Sequence, residues 1–272
     1  MLIRKDSEVS LHRQGLLNPA GSCDRTSDAG QVMGRGEVFI IQGPHGKVAI
    51  RRYRHGGLLR RFTGDRFLSS ARPFQEIAIT AAAKAAGVPT LDILAAIKER
   101  GWGGWYRAYL ITTYLPTTTD LISYLDMNPP DERRRKVIEK AAEAVGKIHQ
   151  QGIYHADLHL KNFLVEEGKS IKVYLIDFDK STLSAHLKPA HRMKNLKRLD
   201  RSAEKLKRQG LSLTSRDKRI FCRAYLVGDR AIQPYLKRFK ERYRWYTILY
   251  RWGWWIAGIF YPRHSPRRKS II

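Results

Sequence analysis

The chain has 272 residues, 43% of them hydrophobic, and carries 51 Lys+Arg against 25 Asp+Glu, a formal net charge of +26. That is enough apolar material for one two-lobed domain or two small ones, and the charge excess points to an anionic partner: nucleic acid, an acidic membrane surface or a phosphorylated substrate. Cys23 and Cys222 form no close pair in sequence, which argues against a disulfide framework or a zinc cluster. The N-terminal stretch lacks the apolar core of a secretory signal, and no apolar run is long enough for a membrane helix, so the cytosol is the default compartment.

Residues 1–30 are polar, without clear periodicity, and are expected to form a loosely held extension. Two strands are then predicted, Val38–Gln42 and Lys47–Tyr53, around a Gly-Pro-His-Gly turn. The Ala-rich stretch from Pro73 reads as a helix stopped by Gly87, and "WYRAYLITTYLP" reads as a strand closed by Pro116. A mostly helical half follows. The segment from Pro129 to Gly152 opens with Pro and acidic residues and places Val137, Ala141, Val145 and Ile148 on one face. The segment from Arg192 to Gly210 repeats the pattern with Met193, Leu196, Leu199, Ala203 and Leu206. The class is α+β, a small sheet-containing lobe before a larger helical one. We place the extension at 1–30, the lobes at 31–116 and 117–262, and a basic tail at 263–272.

Between the two helical patterns lies "GIYHADLHLKNFLV", followed by "KVYLIDFDKS". Asp157 and Asn162 stand five residues apart after a helix, and Asp177 leaves a predicted strand. Protein kinases carry the same parts in the same order, H-R-D-L-x-x-x-N and then D-F-G. The chemistry explains the spacing. A loop carboxylate, here Asp157, takes the proton of the acceptor hydroxyl, while Asn162 and Asp177 hold a divalent metal against the phosphates of ATP. Upstream, Gly34, Arg35 and Gly36 suit a phosphate-covering loop, and Arg51 stands where the template strand has Lys. Glu76 stands where its ion-pair partner does, with Thr112 at the inner end of a hinge whose residues Thr113 to Leu115 face adenine. Taken singly these residues have other readings: a tight turn for the glycines, a solvated helix residue for Glu76, a metal pair for His155 and His159. The ordered set is far more specific than its members.

Four stretches, "GRGEVFII", "AIRRYRHGGLLRRFTGDRFL", "HADLHLKNFLV…YLIDFDKS" and "MKNLKRLDRSAEKL", resemble the lipopolysaccharide core kinases, the family of Kdo (3-deoxy-D-manno-octulosonic acid) kinase and the heptose kinases. The likeness spans about residues 32–208. Arg51 and "YRHGG" lean to the Kdo kinase branch. The resemblance implies a two-lobed, protein-kinase-like fold, ATP and Mg2+, and a Kdo–lipid A or other lipopolysaccharide core acceptor at the cytoplasmic face of the bacterial inner membrane, with the protein held peripherally on that anionic surface. The arginines of "RRYRHGGLLRRF" read either as an anion-binding patch or as a solvated charge run. The aromatic, basic segment 237–269 reads equally as an interfacial anchor or as a last helix packed on the larger lobe. Rival readings are a heptose kinase or other small-molecule phosphotransferase, an inactive kinase-like scaffold, and a nucleic-acid-binding protein. The last has no dedicated motif, so no nucleic acid is expected as partner.

Overall fold

Strands β2 (Val38–Gly43) and β3 (Gly46–Arg52) form an antiparallel hairpin in which Gly43 pairs with Gly46. Both ends of the turn need glycine. Gly46 has φ +117°, and a Cβ on Gly43 would stand 2.6 Å from the Gly46 carbonyl oxygen. These coordinates come from a computed structural model that describes residues 2–3, 38–43, 46–53, 71–100, 105–227, 229 and 232–238. Gly34, Arg35 and Gly36, the arginine-rich stretch 54–70 and the C-terminal segment from residue 239 lie outside the described residues.

The chain divides into two compact units, Met1–Asp229 and Arg230–Ile272. In the second, residues 233–238 are helical. The first holds a five-stranded antiparallel sheet in the order β1-β4-β5-β3-β2, with β1 at Leu2–Ile3, β4 at Ile93–Arg100 and β5 at Tyr106–Thr113. Two of these strands correct the sequence reading. Leu2 and Ile3 pair with Ala96 and Ala95 instead of belonging wholly to a loose extension. "ILAAIKER" carries no strand signature, yet β4 pairs with β5 from Ile93 to Arg100; ladder pairing and burial outweigh the weak local preference of Ala, Lys and Glu.

Side chains alternate across β3, so Val48 and Ile50 enter one apolar layer with Phe39, Leu94, Ile97, Tyr109 and Ile111. Arg51 points to the other face, where Tyr53, Ala96, Ala108 and Leu110 pack against Phe74 and Ile77 of helix α1 (Ala71–Ala85). Period two thus aims Arg51 at α1. The helix ends ahead of Gly87, whose φ is +72°.

The larger part is mainly helical. After β6 (Thr118–Asp120) and the short α2 (Leu121–Asp126), α3 (Asp131–Gln150) buries Val137, Ala141, Val145 and Ile148, the face expected from spacing. Strands β8 (Phe163–Glu166) and β9 (Lys172–Leu175) form a three-stranded sheet with β6, and β7 (Ile153–Tyr154) pairs with β10 (Thr182–Leu183). Helix α4 (Pro189–Arg208) buries Met193, Asn195, Leu196 and Leu199, while Ala203 and Leu206 are only part-buried. Helix α5 (Ser215–Val227), not anticipated from the sequence, is tied to α3 by a buried bidentate pair. Arg134 Nε and Nη2 donate to the two oxygens of Asp217 at 3.1 and 2.9 Å. Among the described residues no helix is long and apolar enough to cross a membrane.

Candidate active site

Of the residues singled out above, Arg51, Glu76, Asp157, Asn162 and Asp177 are linked by contacts within the described residues. Arg51, on β3, donates from Nη2 to Glu76 of α1 and from Nη1 to Asp177. Glu76 is buried, and burial pushes its carboxyl up while the Arg51 guanidinium pulls it down. The Tyr53 ring lies 4.9 Å from the Arg51 guanidinium carbon, and its hydroxyl accepts from Arg51 Nη2 at 3.2 Å and donates to Glu76. A Lys at position 51 has one nitrogen and could not span both carboxylates in the same geometry.

Asp177 has φ +64°, a left-handed conformation that Asp tolerates better than most residues. Its position is held on both sides. The Ile176 amide donates to the Asn162 carbonyl at 2.9 Å, and His155 Nε2 bonds to the Ile176 carbonyl at 3.1 Å. His155 Nδ1 accepts from the Asp157 amide at 3.2 Å. Both ring nitrogens are therefore committed, which rules out the alternative of His155 as half of a metal pair. The ring is neutral: burial pushes its pKa down to about 4.

Asp157 follows β7 and exposes about half of its side chain. Its Oδ2 lies 3.2 Å from His159 Nε2, and its Oδ1 accepts from Arg198 of α4 at 3.2 Å. The hydrogen bond from His159, with the charge of Arg198 added, holds the carboxyl below its usual range and keeps it ionised at neutral pH. Asn162, in the 3-10 turn Leu160–Asn162, is buried and donates from Nδ2 to the Asp157 carbonyl at 2.8 Å. Its amide nitrogen is spent on the loop, so its Oδ1 is left for a cation. With Asp177 it supplies hard oxygen donors on two adjoining loops. Such a pair suits Mg2+, which keeps several waters and takes its remaining ligands from substrate phosphates. The residues present fit that metal.

The hinge is simpler. Thr113 is committed to Asp92: its amide donates to the Asp92 carbonyl at 2.9 Å, and its hydroxyl accepts from the Asp92 amide at 3.2 Å. The Leu115 carbonyl accepts from Thr118, whereas the Leu115 amide donates to no acceptor among the described residues. The Tyr114 amide donates to the Lys47 carbonyl at 3.1 Å, so of Thr113 to Leu115 only Leu115 has a backbone donor to offer among the described residues.

A family model described as Lipopolysaccharide kinase (Kdo/WaaP) family matches residues 25–225. The chain belongs to this family. It is 33% identical over 186 residues to the 3-deoxy-D-manno-octulosonic acid kinase of Vibrio parahaemolyticus serotype O3:K6, covering 66% of this chain and 75% of that one. The enzyme of the same name from Vibrio vulnificus strain YJ016 is 30% identical over 205 residues, 74% of this chain and 84% of that one. A solved structure, WaaP in complex with acyl carrier protein, superposes with a TM-score of 0.58 at 20% identity, over 89% of this chain and 98% of that chain. It establishes the protein-kinase-like fold.

Within this lipopolysaccharide kinase the sequence reading missed several contributors. Arg198 and Asn195 lie in a stretch noted for its helical apolar pattern and its likeness to the family, but neither residue was singled out. Asn195 is buried and takes the His155 amide on Oδ1 at 3.1 Å while its Nδ2 donates to the His155 carbonyl at 2.8 Å. The available signal was a polar, poor helix former sitting between Met193 and Leu196 on the apolar side of a helix. Arg72 and its contact with Asp179 had no signal in spacing.

Proposed function

We propose that the chain phosphorylates a hydroxyl of 3-deoxy-D-manno-octulosonic acid on a lipid A-anchored acceptor, with ATP as donor. The observation that carries this reading is the shared contact of Arg51 with Glu76 and Asp177, which joins strand, helix and metal loop beside Asp157. The acceptor class follows from the named relatives.

In this reading Asp157 orients the acceptor hydroxyl and takes its proton as the oxygen attacks. It stays ionised for that task because His159 and Arg198 face it. Arg51 positions the phosphates and holds Asp177, and Leu115 offers its amide to the adenine edge. Thr113, committed to Asp92, frames the hinge. Gly34, Arg35 and Gly36 are the segment proposed to cover the phosphates. Asn162 and Asp177 hold Mg2+, which when bound neutralises charge on the transferring group. The acceptor's acyl chains stay in the bilayer, so the protein works peripherally at the cytoplasmic face of the inner membrane.

The test is incubation with ATP, Mg2+ and, in parallel, purified Kdo–lipid A and a heptose-bearing core acceptor, followed by mass spectrometry. One added phosphoryl group on the Kdo fragment is the expected product. Phosphate found only on a heptose of a longer core would overturn the Kdo assignment, and no transfer to either sugar would overturn the activity.

A further inference from the structure

The charged residues of α4 are sorted by face. Asp200 and Glu204, one turn apart, both accept from Lys218 of α5, at 2.6 and 2.7 Å. Lys194, Arg198, Arg201, Lys205 and Arg208 recur at steps of four and three. At about 100° per residue, these five stay within an arc of about 80° over a rise of about 21 Å. No acidic residue falls in that arc. Lys194, Arg201, Lys205 and Arg208 are exposed, and Lys194, Arg201 and Lys205 make no ion pair among the described residues.

Cations at these spacings repel one another and weaken the helix. The helix dipole rewards basic residues only in the last turn, which accounts for Lys205 and Arg208 but not for Lys194, Arg198 or Arg201. A second observation gives the row its direction. Arg198, within it, donates to the Asp157 carboxylate at 3.2 Å and to the Ala156 carbonyl. In the proposed reading Arg51 and Asp177 serve the nucleotide, whereas α4 meets Asp157 through Arg198, so an anion lying along α4 would reach Asp157 by way of Arg198.

We propose that the basic row of α4 is a docking track for the phosphates and carboxylates of the saccharide-lipid acceptor, setting its sugar hydroxyl against Asp157. This rests on the reading of Asp157 as the base. Guanidinium and ammonium groups spaced along about 21 Å suit a rigid, multiply charged saccharide, for which each phosphate adds a charge-assisted contact.

The test uses full-length protein carrying Arg201→Glu and Lys205→Glu, both exposed and outside the phosphoryl-transfer machinery. Acceptor dispersed in non-ionic detergent removes the bilayer as a variable. The Michaelis constant for Kdo–lipid A is expected to rise about tenfold or more, with that for ATP and kcat each within about twofold of wild type. Dephosphorylated acceptor should lose most of this sensitivity. Binding of Kdo–lipid A without ATP, followed by fluorescence anisotropy, should weaken in parallel. That arm reads the row even if wild type fails to phosphorylate Kdo, which would count against the activity instead. Unchanged acceptor binding and Michaelis constant overturn the proposal. So does a variant that loses binding to phosphatidylglycerol vesicles while handling detergent-dispersed acceptor normally, because the row would then serve the membrane.

Discussion

Arg72, in the first turn of α1, reaches the carboxylate of Asp179, the third residue of the Asp-Phe-Asp triplet, with Nε 3.0 Å from Oδ1. Its guanidinium carbon also lies 5.4 Å from the Tyr53 ring, which the Arg51 guanidinium approaches as well. Helix α1 is therefore held to the Asp177–Asp179 loop twice, through Glu76–Arg51–Asp177 and through Arg72–Asp179. Protein kinases have Gly where this chain has Asp179; here the residue has a partner. Asp179→Asn should keep the backbone but weaken the second tie and raise the Michaelis constant for ATP roughly fivefold, as expected for a part-buried pair of about 1 kcal/mol. Steady-state kinetics read this directly, and an unchanged constant would leave Arg72–Asp179 as a surface pair.

Asp157→Asn should bind ATP normally yet turn over about 10²–10⁴-fold more slowly, because in the proposed mechanism the carboxylate acts on the acceptor and not on the nucleotide. A variant within about threefold of wild type would falsify the assignment of the base, since about threefold is far below that range.

Arg51→Ala should raise the Michaelis constant for ATP, and Arg51→Lys should recover it only in part. One ammonium cannot contact Glu76 and Asp177 as Nη1 and Nη2 do. Full recovery by Lys would mean that charge alone matters at this position.

Asn162→Ala and Asp177→Ala should change the metal dependence of nucleotide binding, Asp177→Ala more severely. Calorimetric titration of ATP with and without Mg2+ measures both. Equal metal dependence in wild type and in both variants would show these oxygens to be idle.

Stability should fall with pH below neutrality through His149. It is fully buried on α3, with Nδ1 2.8 Å from the Tyr225 hydroxyl and Nε2 3.1 Å from Asn195 Oδ1. Burial pushes its pKa down to about 3 from an ordinary 6.5. Between those values the unfolded chain binds the proton and the folded one does not, so protonation favours unfolding. The stabilisation is complete above about 6.5 and is lost progressively as pH drops toward 3. Melting curves from pH 7.5 to 5 should show a falling midpoint, with a shallower slope in His149→Gln; parallel slopes would reject this origin.

The sequence alone pointed to the family and to the loops proposed to carry the chemistry. Asp157, Asn162 and Asp177 are recognisable because loop chemistry depends on residue type and short spacing, both written locally. The apolar face of α3 was legible for a similar reason: a helix that buries one side must repeat apolar residues at its own period. Tertiary structure decided the contacts between segments far apart in the chain. Nothing near residue 95 announces β4, because that strand exists by pairing with β5, and nothing near residue 2 announces its partner on β4. Arg198 stands 41 residues from Asp157 and Arg72 stands 107 from Asp179, so neither contact leaves a local trace. Periodicity records which face of an element is buried, whereas ion pairs across the fold depend on how those faces are brought together, and that is settled only when the whole core packs.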